Sequence, residues 1–344
     1  MPRSGLFPGA LTTNSTSGSG GSSISGSSST RRKSTRDDAA SLVSKASSSG
    51  GEGGGGGAGG SWTTTIATNE SGGDRDLYFI SLNPLAPVTV VMLHVLFSSH
   101  LDWAHIWPKI SEYHLLIPDL PQHSRSKHVR PFSFALAADL IADMIRTHAH
   151  DGHAHVVGIS TGGYIALELI RRHPDVVQTG FISGVSYIQE GIMSLSRQYP
   201  KMMYLGLSAL LYSPSGMLLK ATGWAPELQN EELLREIRKN TTSSLSTAGV
   251  GDTRRFGRED VAGAGQQDKR VAVFAGGKQD PLEGVREVGR LLRSLGHGPG
   301  EETRTFVVKN AIHSWNLQLP ELFAQCVRAW IERRPMPMEV EEMT

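Results

Sequence analysis

The sequence predicts an α/β fold built on a doubly wound, mostly parallel sheet, and three observations carry that prediction. Short valine- and isoleucine-rich runs such as residues 87–94 lack the polar alternation of a half-solvated strand and read as strands buried on both faces. These runs alternate with stretches of helical periodicity, the order that crossover connections impose. From Trp62 onward the composition is that of an ordinary globular protein, about 280 residues, enough for one large core.

Residues 1–61 precede that core and are dominated by Ser, Gly and Thr, too poor in apolar side chains to offset chain entropy, so they read as a disordered tail. The basic run Arg31–Arg36 within it reads as solvated; the alternatives are a targeting address or a phosphorylation site at Ser34, which follows Arg31-Arg32-Lys33. Residues 62–69 and 76–82, parted by Ser71-Gly72-Gly73, predict an antiparallel hairpin. Residues 87–94 and 113–118 predict buried strands, and 134–146, with Leu136, Leu140, Ile141 and Ile145 on one face, an amphipathic helix.

A strand over 153–159 runs into Ser160-Thr161-Gly162-Gly163 and a helix that ends before His173-Pro174. Strands follow at 176–182, 270–274 and 302–308. A closing helix opens at Pro320 and runs to about Ile331, and 334–344 forms a C-terminal tail. The gap between Ile182 and Arg270 is too long for a loop and must hold its own structure. Helices are predicted there at 200–212 and 231–239, whereas the Gly-rich, charged stretch 250–267 reads as a mobile surface segment.

Bulk properties exclude several roles. A formal net charge of +1 and a pI near 8.0 supply no field for nucleic acid. One cysteine, Cys326, rules out an intramolecular disulfide framework. No apolar stretch is long enough to span a bilayer, and Pro8-Gly9 breaks any signal-like run after Leu6-Phe7. A cytoplasmic protein is expected, while the absence of acidic residues before Asp37 leaves organellar import open. Oligomeric state is not readable.

Gly158-Ile159-Ser160-Thr161-Gly162 matches G-x-S-x-G at a strand-to-helix junction, the context in which that pattern becomes a nucleophile elbow. The turn is so sharp that its flanking residues must be small, and it aims the helix N-terminus at the serine. A serine hydroxyl needs a general base; His313, in the loop between the last strand and the closing helix, is the candidate. The imidazole needs a carboxylate to fix its tautomer, and Asp280 follows a strand end in Gly276-Gly277-Lys278-Gln279-Asp280-Pro281. Asp151 precedes a strand and so lies at the wrong edge, and Asp252 falls in the segment read as mobile. The chain order Ser, Asp, His agrees with this assignment. The oxyanion would take the backbone N–H groups of Thr161 and Leu96, the latter two residues past His94. His94 itself is expected to brace that loop.

With these pieces in place, residues from about 87 to 333 resemble the α/β-hydrolase fold family, in its lid-bearing branch of esterases, lipases and haloperoxidase-like enzymes. The resemblance implies an eight-stranded sheet, a helical lid inserted at about 184–268 and no cofactor; with the change of composition at Trp62, the domain is expected to span 62–333. Two departures stand out. The family's His-Gly is here His94-Val95, and its Gly-His-Gly-x-Ser is Gln122-His123-Ser124-Arg125-Ser126. The lost glycines predict a narrowed oxyanion loop or a tilted Leu96 N–H, and low activity. Acyltransferase-like relatives tend to carry Asp five residues past the histidine, where this chain has Gln318, which favours hydrolysis.

The expected activity is cleavage of a small-molecule carboxylic ester with an apolar part; thioester, amide and carbon–carbon bond cleavage would use the same residues. A ligand-binding or receptor protein with slow or absent turnover is the alternative, suggested by the lost glycines. His94, Met202, Met203 and Trp315 are candidates for the substrate pocket, although the apolar face of 202–211 serves equally to anchor the insertion. His148, His150, His153 and His155 have spacing compatible with a metal, but they join a helix to a strand at the edge away from Ser160, and no metal is expected.

Overall fold

A strand with no polar break has no face to offer solvent, and the run Thr89-Val90-Val91-Met92-Leu93 is buried at every position. The computed structural model describes residues 67–68, 76–187, 199–213, 230–296 and 303–344. The expected tail 1–61, with Ser34, lies outside them, as does most of the first hairpin strand.

The strands are β1 (Ala67–Thr68), β2 (Phe79–Leu82), β3 (Thr89–Leu93), β4 (His114–Pro118), β5 (Ala154–Ile159), β6 (Val177–Ser183), β7 (Arg270–Gly276), β8 (Arg304–Val308) and β9 (Glu341–Glu342). They form one sheet in the order β1-β2-β4-β3-β5-β6-β7-β8-β9, parallel from β4 through β8 and antiparallel at β1, β2 and β9. The eight expected strands are all present, and the two-residue β9 adds a ninth at the outer edge. From β3 the chain steps outward to β4 and then returns to β5 on the other side. The carboxyl ends of β3 and β5 therefore flank a topological switch point, where loops leaving in opposite directions open a crevice.

Helices α1 (Phe134–His148) and α2 (Thr161–Arg172) pack against each other. Ser133 caps α1 by accepting from Leu136 N, as a short polar residue at that position can. Among the described residues, the insertion between β6 and β7 holds helices α3 (Pro200–Leu211), α4 (Glu231–Asn240), α5 (Ser243–Arg255) and α6 (Arg258–Gly265). Residues 250–267, expected as a mobile segment, are thus mostly helical. Thr242 caps α5 through Leu245 N, Asp260 accepts from Gly257 N, and Val250, Val261 and Ala264 are buried.

Beyond β7, α7 (Leu282–Leu295) was not foreseen from sequence. It packs on β7 and β8 through buried Val285, Val288, Leu291 and Leu292. The short α8 (Trp315–Gln318) and α9 (Pro320–Ile331) close the fold. An aromatic stack fastens this half: Phe181 and Phe274 lie 4.4 Å apart, Phe274 and Phe306 5.0 Å, and Trp315 and Phe323 4.5 Å between centroids. Among the described residues no helix is long and apolar enough to cross a membrane.

Candidate active site

Ser160 sits between β5 and α2 with φ 52° and ψ −118°, outside every region that an L-residue occupies without strain. Three contacts hold it there. Its N–H donates to Ser183 O at 2.8 Å, its C=O accepts from Tyr164 N at 3.0 Å, and the glycines around it let the backbones close up. A Cβ on Gly158 would lie 2.3 Å from Gly162 O, and one on Gly162 would lie 2.1 Å from Leu93 O. The small residues of the motif are therefore a steric requirement. Ser160 itself is half-buried, reachable from solvent.

Asp280 follows β7. Its Oδ2 accepts from Gly276 N at 2.6 Å, and its Oδ1 lies 2.5 Å from His313 Nδ1, with the carboxylate side chain only 2% exposed. A carboxylate can only accept, so Nδ1 carries a proton, and in the neutral ring the lone pair is on Nε2. Burial opposes protonation of His313; the charge and hydrogen bond of Asp280 outweigh it, and the imidazole pKa is raised above its ordinary value.

The histidine loop is held at its backbone. His313 N donates to Gln279 Oε1 at 2.9 Å, Ile312 N to Gln318 Oε1 at 2.8 Å, and Gln318 Nε2 to Asn310 O at 3.2 Å. Gln279 and Gln318 are not among the site residues expected from sequence, where Gln318 stands out only as the residue in place of the Asp of acyltransferase-like relatives.

Gly184 joins the two halves of the site. It follows Ser183, whose carbonyl holds Ser160 N, and its φ is +69°. A Cβ there would stand 2.5 Å from His313 Cε1 and 3.6 Å from Asp280 Oδ1. The imidazole thus rests on the glycine one residue beyond the strand end that anchors the elbow.

The loop after β3 completes the edge. Leu93 pairs with Gly158 across β3 and β5, and Leu96 and Thr161 each stand three residues beyond that pair. Thr161 opens α2, where first-turn N–H groups have no intrahelical partner. His94 is fully buried. Its Nδ1–H donates to Val95 O at 2.8 Å and its Nε2 accepts from Leu120 N at 3.0 Å. Burial depresses its pKa to about 4, so the ring is neutral and both nitrogens serve the loop. His123 does the same from the other side, accepting from Phe97 N at 3.0 Å and donating to Pro121 O at 2.8 Å.

The other expected residues fall elsewhere. Trp315 is fully buried, with its Nε1–H donated to Ser183 Oγ at 2.9 Å, and like His94 it lines no solvent-filled space. Met202 is exposed on α3, and the side chain of Met203 lies outside the described residues. Asp252 is on α5, where it accepts from Phe134 N at 2.7 Å. His150, His153 and His155 turn to separate partners, Pro84 O, Asp151 O and Thr179 Oγ1.

Residues 88–314 match the model of the alpha/beta hydrolase fold. This chain belongs to the α/β-hydrolase fold family. An AB hydrolase superfamily protein of Gibberella zeae is 26% identical over 293 residues, covering 78% of this chain and 88% of that one. A pimeloyl-[acyl-carrier protein] methyl ester esterase of Neisseria meningitidis is 48% identical over a shorter stretch of 61 residues, 18% of this chain and 22% of the esterase. Among solved structures, a thermophilic esterase from Thermogutta terrifontis superposes with a TM-score of 0.55 at 18% identity, covering 72% of this chain and 90% of that one. Family and relatives together support hydrolysis as the class of reaction.

Proposed function

We propose that this α/β-hydrolase is a serine hydrolase that cleaves a carboxylic ester with an apolar part. The observation that carries the reading is the Asp280–His313 pair, which rests on Gly184 one residue from the carbonyl that holds Ser160 in its strained elbow. The short esterase match in sequence favours an ester over other acyl bonds.

In this reading Ser160 Oγ attacks the ester carbonyl while His313 Nε2 takes its proton, and Asp280 stays ionised to stabilise the imidazolium. The negative charge on the former carbonyl oxygen is met by the N–H groups of Leu96 and Thr161 and by the N-terminus of α2. His313 returns its proton to the departing alcohol, leaving an acyl group on Ser160. Water, deprotonated by His313, then attacks that acyl carbon; the acid departs and Ser160 recovers its proton. No step calls for a cofactor. The apolar part of the substrate is assigned to the inserted helices, where α3 exposes Met202 and Leu205.

A fluorophosphonate probe tests the reading. Covalent labelling of the native chain that vanishes in Ser160→Ala supports it; folded protein that takes no label overturns it in favour of a binding protein. A panel of p-nitrophenyl esters of increasing acyl length then reads the substrate class.

A further inference from the structure

Asn240, the last residue of α4, is buried at 5% exposure and ties the insertion to two loops of the sheet at once. Its Nδ2 lies 3.0 Å from Phe97 O, 2.8 Å from Ser98 O and 2.9 Å from Ser124 Oγ, three acceptors for two protons. Its Oδ1 accepts from Ser124 N at 2.8 Å. The segment it grips is strained: Phe97 has φ 69°, Gln122 φ 65° and Ser124 φ 40°, left-handed values that cost a residue with a Cβ. Positions 122 and 124 are where the family pattern has glycine, so this chain keeps a glycine-like backbone path without the residue that favours it.

Other bonds hold that path in place. The peptide N–H of Phe97 is fixed by His123 Nε2 at 3.0 Å and its carbonyl by Asn240, so the unit just after Leu96 is pinned at both ends. Gln122 is likewise tied by its side chain, Nε2 to Ser244 Oγ at 3.1 Å, to the first turn of α5. On α5, a Cβ at Gly249 would stand 2.6 Å from Leu96 Cδ1, which means that the helix backbone packs directly against the Leu96 side chain.

We propose that Asn240 is a positioning residue for the oxyanion loop, fixing the segment from Leu96 to Ser98 so that the Leu96 N–H is aimed before substrate arrives. The proposal rests on the reading of Ser160 as nucleophile and Leu96 as oxyanion donor. Preorganised donors gain their effect from needing no reorganisation during the reaction, so a loop freed from Asn240 lowers the rate of the chemical step rather than the affinity for substrate. A residue that only fastened the insertion would act on stability or KM.

The test compares the native chain with Asn240→Ala and Asn240→Asp. The aspartate keeps the shape and the acceptor for Ser124 N but has no proton for Phe97 O or Ser98 O. Steady-state hydrolysis of p-nitrophenyl butyrate, inhibition by an alkyl boronic acid that forms a tetrahedral adduct on Ser160, and fluorophosphonate labelling are measured together. Expected are a kcat about ten- to a hundredfold lower with KM within about threefold, boronate affinity falling in step with kcat/KM, and labelling that is slower but complete. Unchanged kcat, or a raised KM with kcat kept, overturns the proposal and leaves the Ser160 reading intact. A native chain that neither labels nor turns over sinks both. Should the Asn240 variants not fold, Gly249→Ala, which displaces only the flexible end of Leu96, reads the same coupling: a fall in kcat at constant KM supports it and an unchanged kcat overturns it.

Discussion

The first turn of α2 is pressed against the end of β3 so closely that a methyl group on Gly162 would meet the carbonyl oxygen of Leu93 at 2.1 Å. Neither partner can yield, because one is helix backbone and the other a sheet strand. Gly162→Ala is expected to destabilise the fold by about 1–3 kcal/mol and, on the proposed function, to lower kcat/KM of whatever folds by at least ~100-fold, since the elbow and the loop after β3 both shift. Chemical unfolding and ester hydrolysis read the two effects; native-like values for both would overturn this account of the elbow.

The pairing of His313 with Asp280 fixes the direction of the pH dependence. In the proposed mechanism the base is neutral His313, and its raised pKa places the expected acid limb of kcat/KM above the ordinary histidine value of about 6.5. Asp280→Asn is expected to move that limb to lower pH and to cut kcat by roughly 10⁴-fold. The contribution to stability runs the other way. The ion pair is fully present below the unfolded-state pKa and is lost as pH rises through the folded-state one. An acid limb unmoved by the substitution counts against the assignment.

Two buried histidines have the opposite sign. Burial lowers His94 to about 4 and His123 to about 3, so both rings are neutral in the fold where the unfolded chain would protonate them. Below about pH 6.5 the unfolded state binds protons that the native state refuses, and stability falls on acidification by up to ~1.4 kcal/mol per pH unit for each ring. Urea unfolding at pH 7, 6 and 5 should show that slope, and His94→Gln, which can keep a donor and an acceptor, should flatten it.

Gly289 offers a control remote from the site. A Cβ there would stand 1.8 Å from Thr305 Oγ1, where α7 lies on β8, and the β-branched Thr305 is buried and stiff. Gly289→Ala is expected to cost about 1–3 kcal/mol of stability while leaving kcat and KM of the folded fraction within ~twofold. A selective loss of kcat would show that this distant contact reaches the chemistry.

What could be read from sequence was whatever a short window contains. Valine runs announce buried strands, and the glycines of the elbow announce a sharp turn, one of whose clashes, Gly158 against Gly162 O, lies within the motif itself. Asp280 and His313 each follow a strand, and fold topology brings them together. The stretch 250–267 misled because its composition has no apolar stripe: α5 and α6 are held by caps and by distant contacts such as Asp252 to Phe134 N, 118 residues away. Helix α7 carried a readable signal, since Val285, Val288, Leu291 and Leu292 recur at helical spacing. Asn240 carried none, because its partner Phe97 lies 143 residues off and nothing local marks the bond. His94 braces its loop as expected, through Val95 O and Leu120 N, whereas Trp315, a large ring beside the site that reads as a pocket residue, is fully buried with its indole N–H given to Ser183 Oγ.

The backbone posture of Ser160 has one more consequence. A residue held at φ 52° and ψ −118° stores about 1–3 kcal/mol that the surrounding contacts must keep confined. Loosening confined to the turn between β5 and α2 releases it without parting the strands. Heat or denaturant should therefore extinguish turnover at milder conditions than those that erase the far-ultraviolet dichroism, making the reaction itself the earliest witness to failure of the scaffold.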